Sequence, residues 1–504
     1  MKGLLSNAAS RAWMVVALVG AVVVVLVFAL QLIPRLTGAQ DLIDAAEPAL
    51  TDERVAGERA GVDFISKYAD TADPLIEADD AASEVPKLIG IVTKATGLST
   101  AQVLGVLKKE APHTTALLQA LPLEGVAAEL PGLQSFLGKT LKLSPEELQA
   151  ALEKSFPRLS QTLATVGPVT SGWSDIPGMD GMTRFDGKTP VKTVPVLRDY
   201  FSQDLVAAVE ANKDDFQKVA DKGGVGYIPW LLLVVGFVVL AFGLLMAMRA
   251  KSSPPGKAAW AVVVVVGVAI LAIVLGLSYF DRLDAADKVI DNLEPAFTEE
   301  RVKGDVAGIN MVHQVVLFGD PIATEKGGGS SEVPKLVAFV SKETGLSSRQ
   351  VLAALTKEAP KTTAVLQAIP LEAVSAEIPH LLDVLTKTLK LSEEELLAAL
   401  TKSTPGLAQT ITNVTAVTSG WNNVPGTEKL TRFDGKTPVR AMATLDDFFR
   451  EDVIPVLPEE REHFDKLANT WPPVTYFPPL LLVVGLLVVA YGLLGMFVIS
   501  KKSS

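Results

Sequence analysis

Long stretches of mixed polar and apolar residues alternate along this chain with four uninterrupted apolar runs, at residues 12–33, 228–248, 258–280 and 477–499. A helix rises about 1.5 Å per residue, so each run can cross a hydrocarbon core of about 30 Å. None contains Asp, Glu, Lys, Arg or His. Lys2 and Arg11 precede the first run, and Thr37-Gly38-Ala39 resembles a signal cleavage site. A secretory apolar segment is usually only about 7–15 residues long, however. The third run, the counterpart of the first in the repeat below, lies mid-chain where no signal can act, so both read as retained transmembrane helices.

The polar stretches repeat. Ser83-Glu84-Val85-Pro86-Lys87-Leu88 recurs as Ser331-Glu332-Val333-Pro334-Lys335-Leu336, an offset of 248, and the copies then align without a gap to Phe201 and Phe449. Roughly three positions in five are identical, which marks an internal duplication. The match continues into the apolar runs, pairing Trp13 and Gly20 with Trp260 and Gly267, and Tyr227 and Gly236 with Tyr476 and Gly485. Each unit reads as helix out, outer domain, helix back, so the repeats are parallel, with an expected pseudo-two-fold axis along the membrane normal.

The implied organisation is a tail at 1–11, the first span, an outer helical domain at 34–227, the second span, a hairpin at 249–257, the third span, a second outer domain at 281–476, the fourth span and a tail at 500–504. The Ser-Ser-Pro-Pro-Gly centre of the hairpin forbids a continuous helix.

Within the outer domains the local signals are helical. Ser99-Thr100-Ala101-Gln102 and Ser347-Ser348-Arg349-Gln350 are capping-box patterns. Ser144-Pro145-Glu146-Glu147 combines a cap residue, a proline at the first helical position and a glutamate at the third. Prolines 86, 112, 122, 131 and 157 are expected to divide these helices into short lengths, and a last amphipathic helix is expected at about 196–220. Residues 183–191 carry an Asp-Gly pair between short runs, which suggests a small β-hairpin. Residues 324–331, with three consecutive glycines, read as flexible. The fold class is thus an all-α membrane protein of four transmembrane helices in two parallel tandem repeats, each with a mainly helical extracytoplasmic domain.

Charge orients the chain. Lys2, Arg11, Arg249, Lys251, Lys257, Lys501 and Lys502 lie in the three short segments on one side, which the positive-inside rule makes cytoplasmic. The expected location is the plasma membrane, with both termini cytoplasmic. Those segments contribute +7 to a formal net charge of −11, so the remainder carries −18. Acidic outer domains argue against nucleic acid as a partner.

Little in the residues points to chemistry. Cysteine is absent, which removes disulfides, thiolate metal sites and a Cys nucleophile. His113, His313, His380 and His463 have no counterparts in the other copy and no ligand spacing, and Ser171 lies outside a nucleophile elbow. The pairs Asp79-Asp80 and Glu146-Glu147 lack calcium-loop spacing. No enzymatic activity, metal or cofactor is expected. Aromatic residues aside, the polar side chains in the runs are Gln31 and Ser278, near the outer ends, so the spans read as anchors rather than a permeation path. Gly236 and Gly243, and likewise Gly485 and Gly492, recur at a spacing that suits close helix packing.

Two loop blocks are nearly unchanged between copies: Trp173 with Arg184 and Asp186, and Trp421 with Arg432 and Asp434. They are candidate contacts for a partner or ligand. The structural alternative is that each Trp fills a core and Arg184 pairs with Asp186 across a turn. With cytoplasmic parts of about eleven, nine and five residues, too short for a folded domain, function is expected outside or within the bilayer. The leading reading is a membrane-anchored scaffold or accessory subunit of a cell-envelope complex, partnered by the bilayer and another envelope or membrane protein. The alternatives are a binding module for a lipid or other apolar ligand and an oligomeric channel.

Overall fold

The computed structural model describes residues 8–46, 50–76, 81–220, 226–250, 252, 256–276, 279–468 and 476–499. Lys2, Lys251, Lys501, Lys502, Ser278, the Asp79-Asp80 pair, residues 253–255 of the hairpin and the His463 side chain lie outside what is described. Among the described residues the chain is all-helical. Five helices are long and apolar enough to cross a membrane: the regions Ser10–Ala29, Ile228–Arg249, Lys257–Gly276, Glu299–Ala323 and Pro479–Phe497.

The chain divides into two compact units, and it passes between them four times. The first comprises residues 1–52, 208–298 and 457–504 and contains four of the five apolar helices. Helix Ala8–Ala29 packs along Ile228–Arg249, and Lys257–Gly276 along Phe477–Leu494. The two pairs meet where Trp13 stacks on Trp260 at 4.1 Å and the Tyr491 hydroxyl donates to the Ala12 carbonyl at 2.9 Å. The run read as one span at 12–33 is shorter than expected. Its helix stops at Ala29, Gln31 takes a left-handed φ of 50°, and a new helix runs Leu32–Ala46. Helices Leu32–Ala46, Val206–Ala220 and Tyr279–Leu293 share a second core of Leu36, Ile43, Phe216, Val219 and Ala285.

The second unit holds residues 53–207 and 299–456, so the stretches expected as two separate outer domains fold together as one body. The physical reason lies in how its helices begin. Helices Pro112–Ala120, Pro157–Ser174, Pro360–Ala368 and Pro405–Gly420 open on proline without a side-chain cap of their own. Their free N–H groups need acceptors, and carboxylates of the other copy supply them. Glu84 accepts from Gly406 and Leu407 N–H at 3.2 and 2.8 Å, and its repeat mate Glu332 accepts from Leu159 N–H at 2.9 Å. Glu377 takes the Thr114 N–H and hydroxyl at 2.8 and 2.9 Å, and its mate Glu129 takes those of Thr362 at 2.9 and 3.1 Å.

Local expectations fare unevenly. Ser99, Ser144, Ser347 and Ser392 each cap a helix in a complete capping box. Pro112 and Pro157 open helices, but Pro86 and Pro131 lie inside Ala81–Thr96 and Glu124–Leu141 without ending them. The helix expected at 196–220 starts at Val194 and carries a π-helical turn, Tyr200–Leu205, before Val206–Ala220. The expected hairpins reduce to one antiparallel bridge each, Thr183 with Pro190 and Thr431 with Pro438. Residues 324–331 are not a slack linker: a short 3-10 turn, Glu325–Gly327, leads into helix Gly329–Thr344. A Cβ on Gly327 or Gly329 would collide with the carbonyls of Asp320 and Pro321, so glycine serves close approach here.

Candidate functional site

The loop residues singled out in the sequence lie in this second unit. Trp173 and Trp421 are buried, 0% and 1% exposed. Trp173 Nε1 donates to Asp73 at 2.7 Å, and Trp421 Nε1 to Asp320 at 3.3 Å. Arg184 does not pair with Asp186. It makes a two-pronged pair with Asp204, Nε and Nη2 donating at 2.9 and 2.8 Å, and Arg432 repeats this with Asp452 at 3.0 and 2.8 Å. Asp186 instead accepts from the Lys188 and Thr189 N–H groups and the Thr189 hydroxyl, as Asp434 does from Lys436 and Thr437. Those bonds, led by the threonine hydroxyl, hold both carboxyls down at about 2. The blocks are therefore self-satisfied turns whose tips, Gly187 and Lys188, are exposed.

Each turn is covered by the leading helix of the other copy. Helix Asp52–Ile76 begins Arg54-Val55-Ala56-Gly57-Glu58-Arg59-Ala60-Gly61, and helix Glu299–Ala323 carries Arg301-Val302-Lys303-Gly304-Asp305-Val306-Ala307-Gly308. This match lies upstream of the gapless alignment, at an offset of 247. Paired glycines one turn apart let the helix sit down on its partner. A Cβ on Gly57 would come within 2.9 Å of Leu430, one on Gly61 within 2.9 Å of Leu445, and one on Gly308 within 2.8 Å of Leu197. The arginines clamp the turn backbone. Arg54 Nη2 donates to Thr431 O at 2.7 Å, and Arg301 Nη2 to Arg184 O at 2.8 Å; each guanidinium lies 4.9 Å from a ring centre, of Phe433 and Phe185 respectively.

One helical turn after each arginine is an acid. Asp305 is 4% exposed and faces the buried Tyr200 hydroxyl. Glu58 is half-buried. Burial pushes both carboxyls up to about 7 against the opposing pull of Arg301 and Arg54, and pushes the Tyr200 hydroxyl up as well.

A third polar group occurs in one copy only. His313 Nδ1 lies 2.7 Å from Asp446 Oδ2 and 3.3 Å from Arg450 Nη1. The His380 ring meets Glu110 at 3.0 Å near the surface. No cluster of three or more His, Asp or Glu that could hold a metal occurs among the described residues.

The interior of the same unit has small apolar cavities. One of about 60 Å³ is lined by residues including Tyr68, Leu75, Phe318, Ile322 and Trp421, and a neighbouring one of about 40 Å³ by Leu88, Leu118, Ile378 and Leu400. Sites for drug-sized ligands are roughly 300–1,000 Å³.

The span glycines lie in the first unit. A Cβ on Gly236 would come within 2.9 Å of Val24, on Gly485 within 2.8 Å of Leu271 and on Gly492 within 2.8 Å of Val264, while one on Gly243 would strike the Ala17 backbone. Gly20 and Gly267 face the same seams, where an added Cβ would come within 2.7 and 3.1 Å of the Gly236 and Gly485 carbonyl oxygens.

No family model, no curated protein and no solved structure matches the chain.

Proposed function

We propose that the protein is a membrane-anchored scaffold or accessory subunit that works through protein–protein contacts on the outer side of the plasma membrane. In this reading four of the five apolar helices cross the bilayer. Glu299–Ala323 stays outside, because 61% of its apolar window is buried within the protein, against 28 or 29% in the other four, and it begins with five charged residues in its first seven. The exposed faces of the other four are apolar, as at Leu18, Val22, Val25 and Phe28, which suits lipid. The positive-inside pattern supports an outer location for the second unit.

The observation that carries the scaffold reading is the joining of both copies into one body, in which two apolar cavities of about 60 and 40 Å³ are each too small for a lipid chain. Affinity purification of the full chain from native membranes in mild detergent, with mass spectrometry of co-purifying proteins and lipids, tests this. The expected result is a protein partner in near-stoichiometric amount. A stoichiometric lipid with no protein partner would transfer the reading to ligand binding.

A further inference from the structure

We propose that the seam between the two copies is a binding site for small apolar molecules, a class that covers dissolved gases and hydrocarbons of about three carbons or fewer. The site is a row of three voids in the second unit, of about 10, 60 and 40 Å³. The first shares Leu123, Phe318 and Val365 with the second, and the second shares Leu75, Leu117 and Thr410 with the third. The two ends are built from repeat mates. Leu159, Thr162 and Val166 wall the small end, and their counterparts Leu407, Thr410 and Val414 wall the large one. The central void is lined by both members of the pairs Leu75 with Ile322 and Leu117 with Val365, so it lies where the copies meet.

Packing explains why voids persist there. A dense core sets large side chains against small ones, but at the junction of duplicated copies a side chain meets a counterpart of similar size. The ends differ because Phe318 fills the small one, whereas its mate Thr71 does not reach the large one. Water gains little in this row, since a buried water needs two to four polar partners. The Thr71 and Thr418 hydroxyls donate to the Lys67 and Val414 carbonyls at 2.7 and 2.9 Å, and the Thr410 hydroxyl to the Thr71 carbonyl at 3.2 Å, which leaves methyl groups to face the void. Apolar cavities of this kind stay dry, and an empty one forfeits the contacts of its lining atoms. A cavity of about 150 Å³ takes benzene, so the central void restricts its guest to roughly three heavy atoms, well below the lipid chain excluded above. Because such a guest touches both copies, its binding stabilises the joined body.

Xenon, whose anomalous scattering locates it, is the probe, applied under pressure to crystals of the full chain. Xenon should occupy the central void and the large end and be absent from the small end. Propane should displace it from both, and benzene from neither. Thr71→Phe should abolish the central xenon, and Phe318→Leu should bring xenon into the small end. Absence of xenon from both voids of the unaltered protein overturns the proposal, as does xenon that propane fails to displace or that benzene displaces. Central xenon that persists in Thr71→Phe likewise refutes the assignment. Should a variant misfold, the xenon, propane and benzene maps of the unaltered protein decide.

Discussion

At the scale of single residues, the forces that join the copies are carboxylates in other chain segments' service. Glu84 and Glu332 are 5% and 7% exposed, yet each lies on a helix that has no need of it and caps a helix 173 or more residues away. Removing the acceptor strands backbone N–H groups in an enclosed site. Glu332→Ala should therefore cost about 1.5–3 kcal/mol, the usual worth of hydrogen bonds to a charged group, measured by denaturant unfolding of the purified protein. Glu146→Ala, which removes an exposed side chain outside the capping box, should change it by less than about 0.5 kcal/mol. The capping boxes at Ser99 and Ser144 were legible because donor and acceptor are three residues apart. The partner of Arg184 was not, since Asp186 is closer in sequence but turns back on its own N–H neighbours. A signal did exist: Arg184 with Asp204 and Arg432 with Asp452 share a separation of 20. So did the cap-less Ala-Pro and Phe-Pro helix starts, which announce a need without naming the donor of the remedy.

At the scale of elements, the apolar runs were readable because bilayer thickness sets their length, but their ends were not. The helix beginning at Ala8 stops at Ala29 because Gln31 turns left-handed; Gln31 is the polar residue of that run, but a polar side chain near an outer end does not by itself announce a break. A non-glycine residue there carries about 1–2 kcal/mol of strain, so Gln31→Gly should raise the thermal midpoint of the protein in detergent. Gly243→Leu should lower it, because the new side chain meets the Ala17 backbone, which cannot yield as a side-chain tip does. Overpacking of this kind costs about 1–3 kcal/mol. Gly38→Leu, with open space around Gly38, is the matched control and should leave the midpoint within about a degree. The leading helices were overlooked for a different reason. Their Gly-x-x-x-Gly pattern, at Gly57 and Gly61 and at Gly304 and Gly308, sits outside the gapless repeat and inside a charged sequence, where small residues do not advertise a packing seam.

At the scale of the whole molecule, duplication was legible and its consequence was not, because sequence similarity records that two segments share an ancestor and is silent on which copy each segment packs against. The contacts decide for exchange: Arg301 clamps the first copy's turn, Arg54 clamps the second's, and four glutamates cap across. A chain cut after Ser252 should therefore yield two halves that need each other. Co-expressed with a tag on one, they should co-purify at one to one and retain the thermal midpoint of the intact protein within a few degrees, less what the link contributes as effective concentration. Either half alone should dimerise with itself, since roughly three positions in five are shared, but less stably. Pairing the second half with its own copy sets Asp305 against Phe448, which lacks the hydroxyl of Tyr200. Mixed pairing should consequently prevail when both halves are present. Recovery of either half as a folded monomer, with hydrogen-exchange protection of its turn equal to that in the intact chain, would show that the copies are independent domains.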